Sequence, residues 1–178
     1  MSQETTDISQ TISIRPRRTE DLASCIGILN RVYDLDGYPV HGVSNASSFL
    51  DFDALEQAFV AEYHGKIIGH VAIGEANDSD VAVQLWRTQH PATPIAVLER
   101  LFVDPRSRGS GTAAKLIEAA EAWSNERRQR LVLFVLEKDR VAERLYRRLG
   151  WEHFGTTTFR FGESKTMSAL CFVCPTEL

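Results

Sequence analysis

The chain has 178 residues, 43% of them hydrophobic, which suits one domain with a well-formed core. Its formal net charge is −4 with acidic and basic residues mixed, so we expect no nucleic-acid partner. No apolar run approaches the ~20 residues of a membrane-spanning helix, so we expect no membrane partner either. The three cysteines do not suggest a disulfide framework and favour the reducing cytoplasm: Cys25, Cys171 and Cys174.

The start of the chain predicts a polar tail, a strand and an amphipathic helix. Residues 1–10 carry neither the basic nor the apolar region of a signal peptide. We expect them to form a disordered tail ahead of one domain that spans residues 11–175. Ile12 to Ile14 predicts a strand, and apolar positions then recur at helical spacing to about Tyr33.

The segment from Asp34 to Asn45 is a polar loop that suits either a helix–helix connector or a substrate site, since loops often carry function. Within it, Tyr38 and His41 are candidate substrate contacts. A short second helix is predicted over Phe49–Gln57.

A hairpin follows, with predicted strands at Phe59–Tyr63 and Lys66–Gly74. His70 in its second strand suits either a structural or a catalytic role. The chain then makes a long connection over residues 75–94, in which a helix is predicted through Trp86. Such a connection is often functional or an oligomer contact. We therefore take Trp86 as a candidate substrate residue and keep a homodimer open.

The centre of the chain, Ile95–Trp123, predicts a strand, a tight loop and a helix. The loop is basic and rich in small residues: Arg106, Arg108, Gly109, Ser110, Gly111 and Thr112. Its glycines let the backbone take positive φ and approach a ligand closely. The free N–H groups of the helix's first turn favour an anion there. The stretch predicts a phosphate-binding loop, with Arg106 as a second phosphate contact or a solvated side chain.

The last part of the chain predicts a buried strand at Leu131–Leu136, a helix from Asp139 to Gly150 and a final antiparallel strand pair. That pair covers Trp151–Phe161 and Thr166–Val173. The element order indicates an α/β fold in a single domain, around one mixed central sheet.

The last predicted helix carries two apolar strips. We expect Asp139 to cap it and Val141, Leu145 and Leu149 to form its core stripe. Ala142 and Tyr146 lie together on the neighbouring strip. Beyond the helix, the Cys171-x-x-Cys174 spacing suits a redox or metal pair, or plain apolar strand; we predict no metal site.

Two motifs then resemble one known family. A Walker loop and a dinucleotide loop are both excluded, because their lysine and glycine spacings are absent. Instead, Arg108-x-x-Gly111-x-Ala113 resembles the pyrophosphate loop of the GNAT (GCN5-related N-acetyltransferase) superfamily. Asp139-x-x-Ala142-x-x-x-Tyr146-x-x-x-Gly150-Trp151 resembles that family's second motif, N-x-x-A-x-x-x-Y-x-x-x-G-F.

The resemblance covers roughly Ile12 to Cys174 and implies a GNAT-like mixed sheet of about seven strands flanked by helices. It also implies acetyl-CoA as cofactor and acetyl transfer to a primary amine of a small molecule or peptide, by direct attack in a ternary complex. The alternative is a noncatalytic acyl-CoA-binding sensor, whose mark would be loss of Tyr146.

The resemblance also implies a role for each site residue. The pyrophosphate would be held by Arg108, Gly109, Ser110, Gly111, Thr112 and Ala113. A backbone N–H near Leu101, Phe102 and Val103 would polarise the thioester carbonyl. Asp139 and Ala142 would contact pantetheine, although an ionised Asp can only accept a hydrogen bond where the family's Asn donates one. Tyr146 would protonate the leaving sulfur, or pack on the cofactor channel.

Glu99 is the candidate general base. It interrupts an apolar strand, where burial would raise the pKa of a carboxylate toward a useful range. Two alternatives remain: Glu99 reaches the rim and pairs with an arginine, or a chain of water molecules removes the amine proton.

Overall fold

A computed structural model describes residues 11–176, and its centre is a seven-stranded sheet in the order β1-β2-β3-β4-β5-β7-β6. The strands are β1 (Ser13–Pro16), β2 (Leu55–Tyr63), β3 (Lys66–Glu75), β4 (Ile95–Val103), β5 (Arg130–Leu136), β6 (Glu152–Phe161) and β7 (Lys165–Val173). Neighbouring strands are antiparallel except for β4 and β5, which are parallel. The predicted mixed sheet is confirmed, whereas the predicted tail over residues 1–10 lies outside the described residues.

Five α-helices cover the two faces of the sheet within residues 11–176: α1 (Leu22–Asp36), α2 (Ala46–Leu50), α3 (Val81–Gln89), α4 (Thr112–Glu126) and α5 (Arg140–Arg148). The largest core cluster joins α4 and α5 to one face, around Leu116 and Phe172. On the opposite face, α1 and α2 pack around Phe102, and α3 packs around Val97. The apolar face of the inserted helix α3 therefore packs against the sheet of its own chain.

The sheet opens between its two parallel strands. The ladder between β4 and β5 ends at the pair Val97–Val132, although β4 continues to Val103. Beyond this point β5 pairs with β7 on its other side. Because each strand keeps one neighbour and loses the other, a cleft opens between β4 and β5 at their carboxyl ends.

A β-bulge lies in β4 beyond Val97, in the part of the strand that β5 no longer pairs with. Phe102 pairs with His70 and Glu99 with Ala72, so two residues of β4 oppose a single residue of β3. One of the two is Arg100, whose φ of 52° falls in the left-handed region that residues with a β-carbon rarely adopt. The bulge thus changes the direction of the side chains within the part of β4 that has lost its pairing with β5.

The predicted second helix and the predicted core stripe of α5 are wrong in part. The helix predicted over Phe49–Gln57 is α2, which ends at Leu50, and β2 begins at Leu55, because the segment pairs with β3 and satisfies its backbone there. In α5, Val141 is 74% exposed. The stripe that packs on the core is instead Ala142, Leu145, Tyr146 and Leu149, which also has helical spacing.

Gly69 lets the first turn of α4 lie directly on β3. A β-carbon at this position would come within 3.0 Å of Leu116 Cδ1 and 3.1 Å of Thr112 Cγ2. Such distances are shorter than ordinary van der Waals contact, so a side chain here would push the start of α4 away from the sheet.

We expect Gly69→Ala to lower the free energy of unfolding by about 1–3 kcal/mol through overpacking. The matched control is Gly27→Ala inside α1, where the nearest atom to the new β-carbon is Arg31 Nη1 at 3.8 Å. That change should instead stabilise the protein by up to about 1 kcal/mol, because alanine favours a helix over glycine. Urea denaturation measures both; shifts of the same sign would contradict the close approach of α4.

Candidate active site

The loop before α4 presents free backbone N–H groups. Gly109 and Gly111 have φ values of 80° and 78°, which suit glycine, and an added β-carbon at either would meet nothing within 4 Å. Gly111 is the N-cap of α4 and has no side chain to cap it. The first-turn N–H groups of α4 are thus left for a ligand, at the positive end of the helix dipole.

Asp104, at the start of this loop, stabilises it through its side-chain hydrogen bonds. Its buried carboxylate accepts hydrogen bonds from the guanidinium groups of Arg106 at 3.0 Å and Arg31 at 2.9 Å. Burial alone would raise the pKa of Asp104, but these hydrogen bonds outweigh it and lower the pKa to about 2. Arg106 is thereby tied to the loop itself, although its side chain is 71% exposed.

Three segments converge at the mouth of the cleft. Arg108 of the loop forms an ion pair with Asp36 at the end of α1. Next to Asp36, a β-carbon at Gly37 would lie 3.9 Å from Lys138 Nζ, just before α5. The loop, the end of α1 and the start of α5 therefore surround the opening between β4 and β5.

Asp139 occupies the N-cap position of α5, but the predicted cap is wrong because its carboxylate accepts no hydrogen bond from the helix. Burial raises the pKa of Asp139, and the nearby Asp36 carboxylate adds to this while Lys138 opposes it. The carboxyl group is therefore not used by the helix and instead pairs with Lys138, whose Nζ lies 4.0 Å from Oδ1.

Tyr146 lies in the core beside the cleft. It is 4% exposed, with its ring edge-on to Trp151 at 5.2 Å and near Phe172 at 6.4 Å. Burial raises the pKa of Tyr146, and the neighbouring Tyr38 raises it further. The phenol is therefore protonated at neutral pH. Ala142 lies one turn before it on the same stripe.

The backbone of β4 directs an N–H group into the cleft. Asp104 N donates to Ile68 O of β3 at 2.8 Å. Because successive N–H groups of a strand point to opposite sides, the N–H of Val103 points away from β3, toward the side where β5 has departed. Leu101 and Val103 pack toward α4, and Phe102 packs toward α1.

On the other face of β4, Glu99 forms an ion pair with Arg100, so the alternative of an arginine partner holds in the structure. The Glu99 side chain keeps 23% of its surface exposed. The Arg100 guanidinium lies 3.8 Å from the centre of the Phe52 ring and 4.5 Å from that of Phe49. Sequence reasoning missed Arg100; its one signal was a second charge inside an apolar strand.

The predicted substrate residues separate into two groups. Tyr38 is half-buried and edge-on to Phe49 at 6.2 Å, and burial raises the pKa of Tyr38. His41 is exposed and edge-on to Phe159 of β6 at 6.0 Å, an aromatic contact that sequence reasoning missed. Trp86 is 3% exposed and packs in the core beneath α3, so the structure does not bring it to the cleft.

His70 is fully buried and uses both ring nitrogens. Nε2 lies 2.9 Å from Arg17 Nη1, and Nδ1 lies 2.8 Å from the carbonyl oxygen of Arg100. A guanidinium can only donate, so Nε2 accepts and the Nδ1–H donates to the carbonyl. Burial lowers the pKa of His70 to about 4, against the opposing effect of the Arg100 carbonyl. These contacts favour the structural role over general-base catalysis.

His70 should make the protein less stable below neutral pH. Because its pKa falls from 6.5 to about 4 on folding, the unfolded chain binds the proton first. The contribution of His70 to the free energy of unfolding is therefore complete above about pH 6.5. It decreases by up to about 3 kcal/mol as the pH falls toward 4. We expect His70→Asn to lose this slope in urea denaturation measured across the interval. The contribution of Asp104, whose pKa is about 2, falls in a lower window. Equal slopes in both proteins would contradict the assignment.

The cysteine pair near the C-terminus is part of the core. Cys171 and Cys174 are buried, and the Cys174 sulfur accepts a hydrogen bond from Leu131 N at 3.2 Å. Within residues 11–176, no group of three or more His, Cys, Asp or Glu side chains is arranged to hold a metal ion. In the same residues, no helix combines the length and apolarity needed to cross a membrane.

Comparison with known sequences gives one family. The model of the acetyltransferase (GNAT) family matches residues 28–151. An uncharacterised N-acetyltransferase of Methanocaldococcus jannaschii is 34% identical over 95 residues, which make up 53% of this chain and only 38% of that protein. An uncharacterised N-acetyltransferase of Mycobacterium bovis is 26% identical over 159 residues, covering 80% of this chain and 90% of that protein. The aligned region thus spans well under two thirds of the first relative.

Solved structures share the fold over nearly the whole chain. The N-acetyltransferase of Staphylococcus aureus Mu50 superposes with a TM-score of 0.68 at 18% identity, covering 91% of this chain and 96% of that one. NAA60 of Arabidopsis thaliana, solved in complex with acetyl-CoA, gives a TM-score of 0.67 at 18% identity, covering 92% and 97%. The predicted GNAT-like architecture is confirmed.

Proposed function

The chain belongs to the acetyltransferase (GNAT) family, and on that premise we propose that it transfers the acetyl group of acetyl-CoA to a primary amine of a small molecule or peptide. The amine would attack directly in a ternary complex. One observation carries the proposal: a glycine loop with uncapped N–H groups opens a helix beside a cleft between two parallel strands. We also infer a cytoplasmic location, where its three free cysteines stay reduced.

The loop suits the pyrophosphate of coenzyme A. The space around Gly109 and Gly111 leaves the backbone accessible, and a pyrophosphate there would receive hydrogen bonds from the first turn of α4. Arg108 would have to leave Asp36, but this pair is about half exposed and such pairs contribute only about 0–1 kcal/mol. Pantetheine would then follow the cleft past Ala142, whose small side chain leaves room.

Bound acetyl-CoA supplies a thioester carbonyl that an amine can attack, with a thiolate as leaving group. The N–H of Val103 would donate to the carbonyl oxygen, where negative charge develops. Tyr146, protonated at neutral pH, would donate its phenolic proton to the leaving sulfur. Both groups lie on elements that border the cleft.

The amine must lose protons before and during attack. Glu99 faces away from α4, on the face opposite the main core cluster, and keeps part of its surface accessible. It would accept a proton if its pair with Arg100 loosens; a chain of water molecules is the competing route. We propose that the acceptor approaches on this face, past Tyr38 and His41. A screen of amines, aminoglycosides and N-terminal peptides for acetylation tests the activity and identifies the acceptor class.

Arg108→Glu should weaken acetyl-CoA binding by roughly 10- to 100-fold, because it replaces a charge-assisted hydrogen bond by repulsion. The matched control is Arg127→Glu at the other end of α4. Both arginine side chains are 46% exposed and both pair with a carboxylate. Calorimetric titration measures the affinities. Equal affinities for the two variants, with both folded, would remove the loop from the cofactor site.

Tyr146→Phe removes the phenolic oxygen and keeps the ring that packs on Trp151. We expect acetyl-CoA affinity to stay nearly unchanged while the chemical step slows by about 10²-fold, the lower end for a positioned acid. Single-turnover acetylation of the amine found in the screen measures this, beside a binding isotherm. A loss in kcat and kcat/KM together would identify an interaction made in the transition state.

Full activity of the Phe variant would exclude Tyr146 as the acid and leave water to protonate the thiolate. A wild-type protein that binds acetyl-CoA tightly but acetylates no amine would instead support the noncatalytic sensor.

A further inference from the structure

Arg100 adopts a backbone conformation that needs support from its surroundings. Its φ of 52° is unfavourable for a residue with a β-carbon, and it lies at the bulge in the middle of the sheet. The sequence offers no glycine or asparagine there, the residues that accept this region most readily. Contacts from other elements must therefore hold the bulge in place.

His70 supplies one such contact from the neighbouring strand. Its Nδ1–H donates to the Arg100 carbonyl at 2.8 Å, and its ring stacks on Phe102 with centres 4.9 Å apart and planes 16° apart. Arg17 fixes the ring by donating to Nε2 at 2.9 Å, and the same Arg17 nitrogen donates to Leu50 O at 2.8 Å. The histidine is thus held in one tautomer and one orientation.

The Arg100 side chain is held from the same direction. Its Nε donates to Phe49 O at 2.5 Å, and its guanidinium lies over the Phe52 ring at 3.8 Å. The backbone carbonyl and the side chain of one strained residue therefore have separate partners, on β3 and around α2.

The bulge decides what β4 presents to the cleft. Before it, Ala96 and Leu98 pack toward α4; after it, Leu101 and Val103 do so. Strict alternation from Leu98 would have turned both later residues to the opposite face. The extra residue therefore sets which N–H groups point to the open side of β4, whereas Glu99 lies before the bulge and faces away from α4 by ordinary alternation from Leu98.

We propose that His70 is a positioning residue for acyl transfer: by holding the Arg100 carbonyl, it keeps the bulge that aims the Val103 N–H into the cleft. This inference rests on the proposed function, since it assigns His70 to the geometry of that same site. His70 touches neither reactant and acts through the backbone of β4.

Two variants of similar size separate the two hydrogen bonds of His70. His70→Asn places an amide N–H near the position of Nδ1, so it can still donate to the Arg100 carbonyl, but it loses the acceptor for Arg17. His70→Gln places its amide near the position of Nε2, so it can still accept from Arg17, but it leaves the Arg100 carbonyl without its donor. Both lose the ring that stacks on Phe102.

We expect the Gln variant to lose about 10-fold or more in kcat, with its KM for acetyl-CoA within about twofold of wild type. The Asn variant should keep at least about five times the kcat of the Gln variant. Val173→Ala, a buried substitution in β7, is the control for a general loss of stability. Equal kcat values in the Asn and Gln variants would overturn the inference while leaving the proposed function intact. The same holds if Val173→Ala, at an equal loss of stability, lowers kcat as much as His70→Gln does.

Hydrogen exchange of the free protein tests the bulge without any reaction. Amides from Arg100 to Val103 should exchange faster in the Gln variant than in the Asn variant, and ¹⁵N spectra of wild type should show His70 protonated on Nδ1. Equal exchange in the two variants, or a proton on Nε2, would overturn the inference. If wild type acetylates no amine, the proposed function fails by itself, and exchange still decides whether His70 holds the bulge.

Discussion

Everything that distinguishes this fold from a plain α/β sandwich depends on the loss of pairing between β4 and β5 beyond Val97. Two parallel strands that separate leave backbone N–H and C=O groups without their strand partner, and such groups bind water or a ligand instead. An extended ligand with its own amides can satisfy both edges at once. The cleft therefore offers backbone groups without a strand partner at the carboxyl ends of β4 and β5.

The charged groups at the mouth of the cleft suit an anionic ligand. The N-terminus of α4 contributes a partial positive charge. Arg108 contributes a full positive charge, and its partner Asp36 is exposed. By contrast, Asp104 beside the loop is buried and accepts hydrogen bonds from Arg31 and Arg106, so it ties the loop to α1. The ion pairs of the buried Asp104 are structural. The exposed pair between Arg108 and Asp36 is weak and lies where an anionic ligand would replace it.

The two faces of the sheet divide the chemistry. On the α4 side, an apolar core surrounds Tyr146 and keeps its phenol protonated. On the other side, the core is split into one cluster under α1 and α2 and another under α3. Glu99 and Arg100 lie on this second side, beside aromatic rings from α2 and the segment after it. The bulge in β4 connects the two sides, since it determines which residues face each.

Local sequence was enough for most of the elements and for the glycine loop before α4, whereas packing between distant segments decided the geometry of the candidate site. Glycine spacing and helical periodicity act over a few residues, so the glycine loop before α4, the presence of α4 and the turn at Gly150 were predictable. Other features depend on the register between residues far apart in the chain. These are the position of β7 in the sheet, the buried stripe of α5, the burial of Trp86 and the bulge in β4. A local sequence pattern does not contain these features, because each is set by the packing of side chains on both faces of the sheet.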